Sequence, residues 1–167
     1  DPDLNWVEGR DVWWEDTVDE QSDTHEPEAF ESLADEIDLT PSEGPTPDGL
    51  RALLDHTIAA VRLYEPGALV LFERSPVDYL AYAAASERSW PRGSVARFLE
   101  TSIPSVRDAL RCLDGIVLVP VRGIPARSGE SPGFRRRVDE CLRRALIDDE
   151  YDLFGDATSP RVLELSA

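Results

Sequence analysis

Lysine is missing altogether: all 17 basic side chains among these 167 residues are arginine. Long apolar runs are missing too. Nothing approaches the roughly 18 consecutive apolar residues that would read as a membrane-spanning helix. The first residues, Asp1-Pro2-Asp3-Leu4-Asn5, are acidic and lack the apolar centre of a signal peptide. Cysteine is scarce, and Cys112 and Cys141 stand apart with no metal-ligand spacing. Their surroundings place both inside helices as small buried hydrophobes, which fits a reducing, cytoplasmic compartment. Basic charge is outnumbered, with 34 Asp and Glu giving a net charge of −17. Such an excess of acid disfavours a polyanionic partner, and the expectation is of no nucleic acid and no membrane.

The acid that is present is unevenly placed. Residues 1–49 hold 17 Asp and Glu against one Arg, so −16 of the −17 lies there. Residues 50–167 are close to neutral. A salt-adapted surface would spread its acid throughout. The asymmetry instead marks an acidic N-terminal segment, packed on or extending a main domain at 50–167. Such a segment suits contact with a basic protein partner or with a second copy in a homo-oligomer.

Periodicity organises the rest. Val12-Trp13-Trp14 reads as a short strand ending at Glu15-Asp16, and Pro27 to Ile37 as a short helix with Phe30, Leu33, Ala34 and Ile37 on one face. Trp6, Trp13 and Trp14 read as core or interface anchors. Thr40 to Gly49 is a loop by composition. Within it Gly44 and Gly49 have the spacing of a phosphate-binding loop, but Leu50-Arg51 stands where Lys and Ser or Thr are needed, and the match fails.

Thr46-Pro47 caps a helix whose apolar stripe is Leu50, Leu53, Leu54, Ile58, Val61 and Tyr64, with His56 off the stripe. Ala68 to Phe72 is an apolar run that suits a strand buried on both faces. It ends in Glu73-Arg74. Ser75 then reads as an N-cap, Pro76 as the first helical position and Asp78 as the partner in a capping box. Glu73 and Arg74 thus fall at the carboxyl end of a strand, where open α/β sheets bind ligands. The same residues also suit a plain strand end, with Glu73 and Arg74 pairing with neighbours.

Trp90 to Gly93 is a turn, followed by two short helices with Pro104 starting the second. Gly115 to Pro120 and Arg161 to Ser166 are further strands, separated by an arginine-bearing loop (Val121 to Pro132) and a helix from Gly133 to about Asp148. On that helix Arg136, Glu140, Arg143 and Arg144 are spaced for ion pairs along one face. Strands alternating with helices predict an α/β domain with a mostly parallel sheet.

This order resembles the P-loop nucleoside and nucleotide kinase group, and within it the bacterial kinase-like ATPases with AAA-type domains. Leu71 to Tyr82, Leu-Phe-Glu-Arg-Ser-Pro-Val-Asp-Tyr-Leu-Ala-Tyr, matches a segment such proteins carry. The helix from Arg135 or Arg136 to Arg143 matches their Arg-Arg-x-Val-Asp-x-x-Leu-Arg. The likeness covers roughly residues 50–166. It implies a three-layer α/β fold, a mostly parallel sheet with flanking helices, acting on ATP or GTP with Mg²⁺ and on a small-molecule substrate. By the same likeness Glu73 holds Mg²⁺ through water, Arg74 bridges the phosphoryl groups, and Ser75 opens an anion-binding helix start. Arg122 and Arg127 belong to a closing loop, Arg135 or Arg136 to its far hinge, and Glu15, Asp16 and Asp78 to substrate contact.

One departure is large. The glycine-rich loop ending in Lys and Ser or Thr, and the strand before it, are not in the sequence. The resemblance then implies either that this chain is a piece of a longer polypeptide or that it is a non-catalytic relative serving as a binding module.

Overall fold

The computed structural model describes residues 45–64, 69–121, 131–155 and 160–165. The expected strand at Val12-Trp13-Trp14 and the helix at 27–37 lie outside them. Helix α1 spans Pro47–Leu63. Its start is fixed locally: Thr46 Oγ1 accepts the Gly49 N–H at 3.1 Å, and Pro47 has no N–H to leave unpaired. Leu50, Leu53, Leu54, Ile58 and Val61 form its buried stripe, while His56 faces solvent.

Helix α2, Pro76–Ala85, is the centre of the packing and lies against α1, α3 and α4. Pro76, Val77, Tyr79, Leu80, Ala81, Ala83 and Ala85 are all buried, so apolar residues ring the helix. A helix of this kind has to be enclosed by others. Full burial of a leucine such as Leu80 stabilises by about 2 kcal/mol. Its alanines let neighbours approach closely, and Ala81 and Ala85 meet Cys141, Phe134 and Val138 of α4.

Helix α3 runs unbroken from Ser94 to Leu110 with Pro104 inside it. This corrects the expectation of two helices. Pro104 and Glu100 are both exposed, so water can solvate the carbonyl that the proline leaves without a donor. The stripe Phe98, Ser102, Val106, Ala109, Leu110 holds the two halves to one face of the core. Ser102 adds a buried bond, donating to Phe98 O at 2.6 Å. Gly93 precedes the helix with φ +83°, a left-handed turn that glycine adopts without strain. Trp90, buried in that turn, donates its indole N–H to Pro45 O at 2.7 Å and meets Phe98 edge-on at 5.6 Å.

Strand β1 (Gly115–Leu118), helix α4 (Pro132–Leu146) and strand β2 (Arg161–Glu164) form a strand–helix–strand unit. The strands pair in parallel, Gly115 with Arg161 through Leu118 with Glu164. Ile116 and Leu118 join the core with Leu146, Ala145 and Leu153, and Val162 packs on it. Val117 and Leu163 are paired across the ladder on the other face and are exposed. Two α4 arginines form ion pairs outside their helix: Arg143 with Glu164 of β2, and Arg144 with Glu150 at 3.5 Å.

Leu69 to Phe72 is where the structure departs most from the periodicity. The segment joins no ladder among the described residues. Burial alternates along it, with Leu69 96% and Leu71 79% exposed while Val70 and Phe72 turn inward. Phe72 meets Tyr64 edge-on at 5.7 Å. The spacing is that of one covered strand face. Cys112 is a second departure, exposed in the turn after α3, whereas Cys141 is buried as expected. Among the described residues, no helix is long and apolar enough to cross a membrane.

Candidate functional site

The chain arrives at α2 through Glu73 and Arg74 and turns into the helix at Ser75, whose backbone is extended at φ −95°, ψ 159°. Asp78, one turn in, reaches back: its Oδ2 accepts both the Ser75 N–H and the Ser75 hydroxyl, each at 2.8 Å. One carboxylate oxygen therefore closes the helix start. Its other oxygen, Oδ1, lies 3.8 Å from Arg74 Nη1. These contacts describe Asp78 as the cap, and they leave its carboxylate committed within the chain.

Arg74 folds back along α2. Its Nη1 donates to Tyr82 Oη at 3.3 Å, and its guanidinium carbon lies 5.4 Å from the centre of the Tyr82 ring. The side chain is 30% exposed and that of Asp78 18%. Burial pushes the Asp78 carboxyl above its ordinary value, against the pull of Arg74 and of the Ser75 hydrogen bonds. Burial acts on Arg74 in the lowering direction, but Tyr82, Asp78 and Tyr79 outweigh it and the guanidinium stays firmly protonated. A cation is thus held in a fixed place at a helix start, the kind of end that favours anions.

Behind Tyr82 stands Phe134 in the first turn of α4, with ring centres 6.1 Å apart. Arg137 covers Phe134 at 5.6 Å and donates its Nε to Ala85 O, tying α4 to the end of α2. Ser131 caps α4, its Oγ accepting the Phe134 N–H at 3.4 Å.

The structure therefore brings Arg74, Ser75 and Asp78 into direct contact, with Glu73 exposed beside them. Arg135 is half-buried on α4. Arg136 is exposed and donates from Nε to Pro132 O in its own helix. Arg122, Arg127, Glu15 and Asp16 lie outside the described residues. Tyr82 was not among the residues that sequence reasoning selected. Its signal was available, because Asp78 and Tyr82 are four apart on one helix and so share a face with the reach of Arg74.

A single carboxylate does not make a metal cage. Among the described residues, no three His, Cys, Asp or Glu side chains gather as a cation site. Magnesium usually keeps several waters and takes one or two carboxylates, and Glu73 is an exposed carboxylate at this helix start.

Comparison with curated proteins finds a 27-residue stretch that is 63% identical to part of an acetyl-coenzyme A synthetase of Deinococcus radiodurans. The stretch is 16% of this chain and 4% of that protein, too little to carry an activity across. No family model matches the chain, and no solved structure matches it.

Proposed function

We propose that this chain belongs with P-loop kinase-like proteins that bind ATP or GTP and carry out Mg²⁺-dependent phosphoryl transfer to a small molecule, or hydrolyse the nucleotide, and that the site is incomplete within these 167 residues because the phosphate loop is absent from them. The observation that carries the proposal is Arg74. It is a protonated guanidinium, held by Asp78 and Tyr82 at the start of a buried helix, directly after an extended segment and beside a free-standing carboxylate, Glu73. Phosphoryl transfer asks a protein mainly for position and positive charge around the transferred group. Arg74 would face the phosphoryl oxygens, and Glu73 would hold the hydrated metal. A bound Mg²⁺ would neutralise charge on the phosphates.

The three-layer, mostly parallel sheet belongs to the same proposal. It draws support from the parallel β1–β2 pair and from the exposure of Leu69 and Leu71 on a segment with a strand's alternation. In a kinase-like sheet the strand carrying the phosphate loop is central, and a sheet without it leaves neighbouring apolar edges uncovered. A cytoplasmic location is likewise proposed, supported by the free thiols of Cys112 and Cys141.

A second reading has its own observation. With no lysine in the chain, no phosphate-loop lysine exists among these 167 residues. A kinase-like binding module, with its acidic residues 1–49 against a basic protein, accounts for that.

Calorimetric titration with Mg-ATP and Mg-GTP tests both. The first reading expects binding by the wild-type chain, weakened about tenfold or more in R74A, the loss of one charge-assisted contact. It also expects weaker binding in E73A, read as a loss of the Mg²⁺ dependence. Unchanged affinity in both variants refutes the site. If the wild-type chain shows neither binding heat nor any nucleotide shift in melting temperature, while forming a salt-sensitive complex with a basic protein, the second reading stands.

A further inference from the structure

We propose that Tyr82, backed by Phe134, is a positioning residue that sets the Arg74 guanidinium in place for an anionic phosphoryl ligand, an inference that rests on the phosphoryl-transfer reading above. Arg74 precedes the helix, and its long side chain folds back along α2 to Asp78 and Tyr82. Asp78 cannot fix it alone. One of its oxygens is taken up by Ser75 at 2.8 Å twice over, and the other stands 3.8 Å from Arg74, beyond ordinary hydrogen-bond reach.

Tyr82 supplies what Asp78 lacks. Its Oη is the nearer acceptor at 3.3 Å, and its ring offers a surface for the guanidinium at 5.4 Å. The contact is a hydroxyl and a ring face, not a second carboxylate. It orients the cation without cancelling its charge, whereas a second close carboxylate would leave little positive potential for a phosphate. Tyr82 is itself braced: Phe134 of α4 packs its ring at 6.1 Å, tilted by 45°. The Arg74 position is thereby referred to the packing of α2 on α4, and not to the flexibility of a surface arginine.

The test follows the Arg74 guanidinium by NMR in the wild type, Y82F, Y82A and F134L, first without ligand and then with Mg-pyrophosphate as the probe. Y82F keeps the stacking surface and removes the acceptor. It is expected to loosen Arg74 partly and weaken the probe about threefold, with the helical circular dichroism unchanged. Y82A is expected to loosen Arg74 fully and weaken the probe about tenfold, and F134L to fall between wild type and Y82A. An Arg74 as ordered in Y82F and Y82A as in wild type overturns the inference, whatever the probe does. Because Y82A could unfold, the decision can be taken on Y82F alone. Loosening in the variants, with no probe or nucleotide bound by the wild type, would support the positioning of Arg74 and refute the phosphoryl-transfer reading.

Discussion

Thr57 and Tyr79 offer the sharpest test of how α1 and α2 hold each other. Their hydroxyls lie 2.7 Å apart, with Thr57 8% and Tyr79 2% exposed. Either single change leaves one buried hydroxyl with its partner gone. T57V keeps the shape and the helix preference of a β-branched residue but strands the Tyr79 hydroxyl, at about 1–3 kcal/mol. Y79F strands the Thr57 hydroxyl at the rim of the core, where water is closer, so about 1–2 kcal/mol is expected. The double variant T57V/Y79F removes both polar atoms together, so its loss should be smaller than the sum of the two by about 1–2 kcal/mol. Urea unfolding of the four proteins completes the cycle. Losses that add within about 0.5 kcal/mol would refute the claim that this bond links the helices.

The same pair sets a pH dependence. Burial, opposed by the Thr57 bond, pushes the Tyr79 hydroxyl up to about 12. The unfolded chain would release this proton near its ordinary value of about 10. The folded state therefore keeps a proton that the unfolded state loses, and stability is fully present below about pH 10 and declines toward about pH 12. Two units correspond to about 2–3 kcal/mol over that window. In Y79F this part of the decline should vanish, while other groups continue to titrate.

Two backbone predictions follow from α3. G93A should cost about 1–2 kcal/mol, because residue 93 has φ +83° and an added Cβ would meet nothing within 4 Å, leaving backbone strain as the whole effect; an unchanged urea midpoint would contradict it. P104A should stabilise by about 1–2 kcal/mol, as a regained N–H for the Glu100 carbonyl outweighs the unfolded-state entropy that proline restricts. A lower midpoint would show that the proline fits a bend which alanine cannot serve.

Much of this chain was legible locally. Thr46-Pro47 and Ser75-Pro76 start helices because a side-chain oxygen and a missing N–H solve the same end problem within four residues. Asp78 as the helix cap could be read for the same reason. Gly115 to Leu118 and Arg161 to Glu164 are strands with turn signals beside them, and the structure pairs them in parallel. The Pro104 break was misread, because a proline's local effect was weighed without the packing stripe that spans it. Cys112 was misread because a helical pattern extended one turn too far says buried where the chain is already leaving the core.

The sequence by itself determined where the helices at Pro47 and Pro76 begin, which face of the first is apolar, and that a charged pair precedes the second, since all of these depend on neighbours within one or two turns. Only the tertiary structure decided that α2 lies at the centre, that Arg51 reaches across to Thr101 Oγ1 at 2.6 Å, and that Arg143 and Arg144 leave their own helix for Glu164 and Glu150. It also decided that Phe134 of α4 stands behind Tyr82. Most of these contacts join residues distant in the chain, and where a ring or a guanidinium lands depends on which elements meet. No spacing along a single strand or helix encodes that meeting.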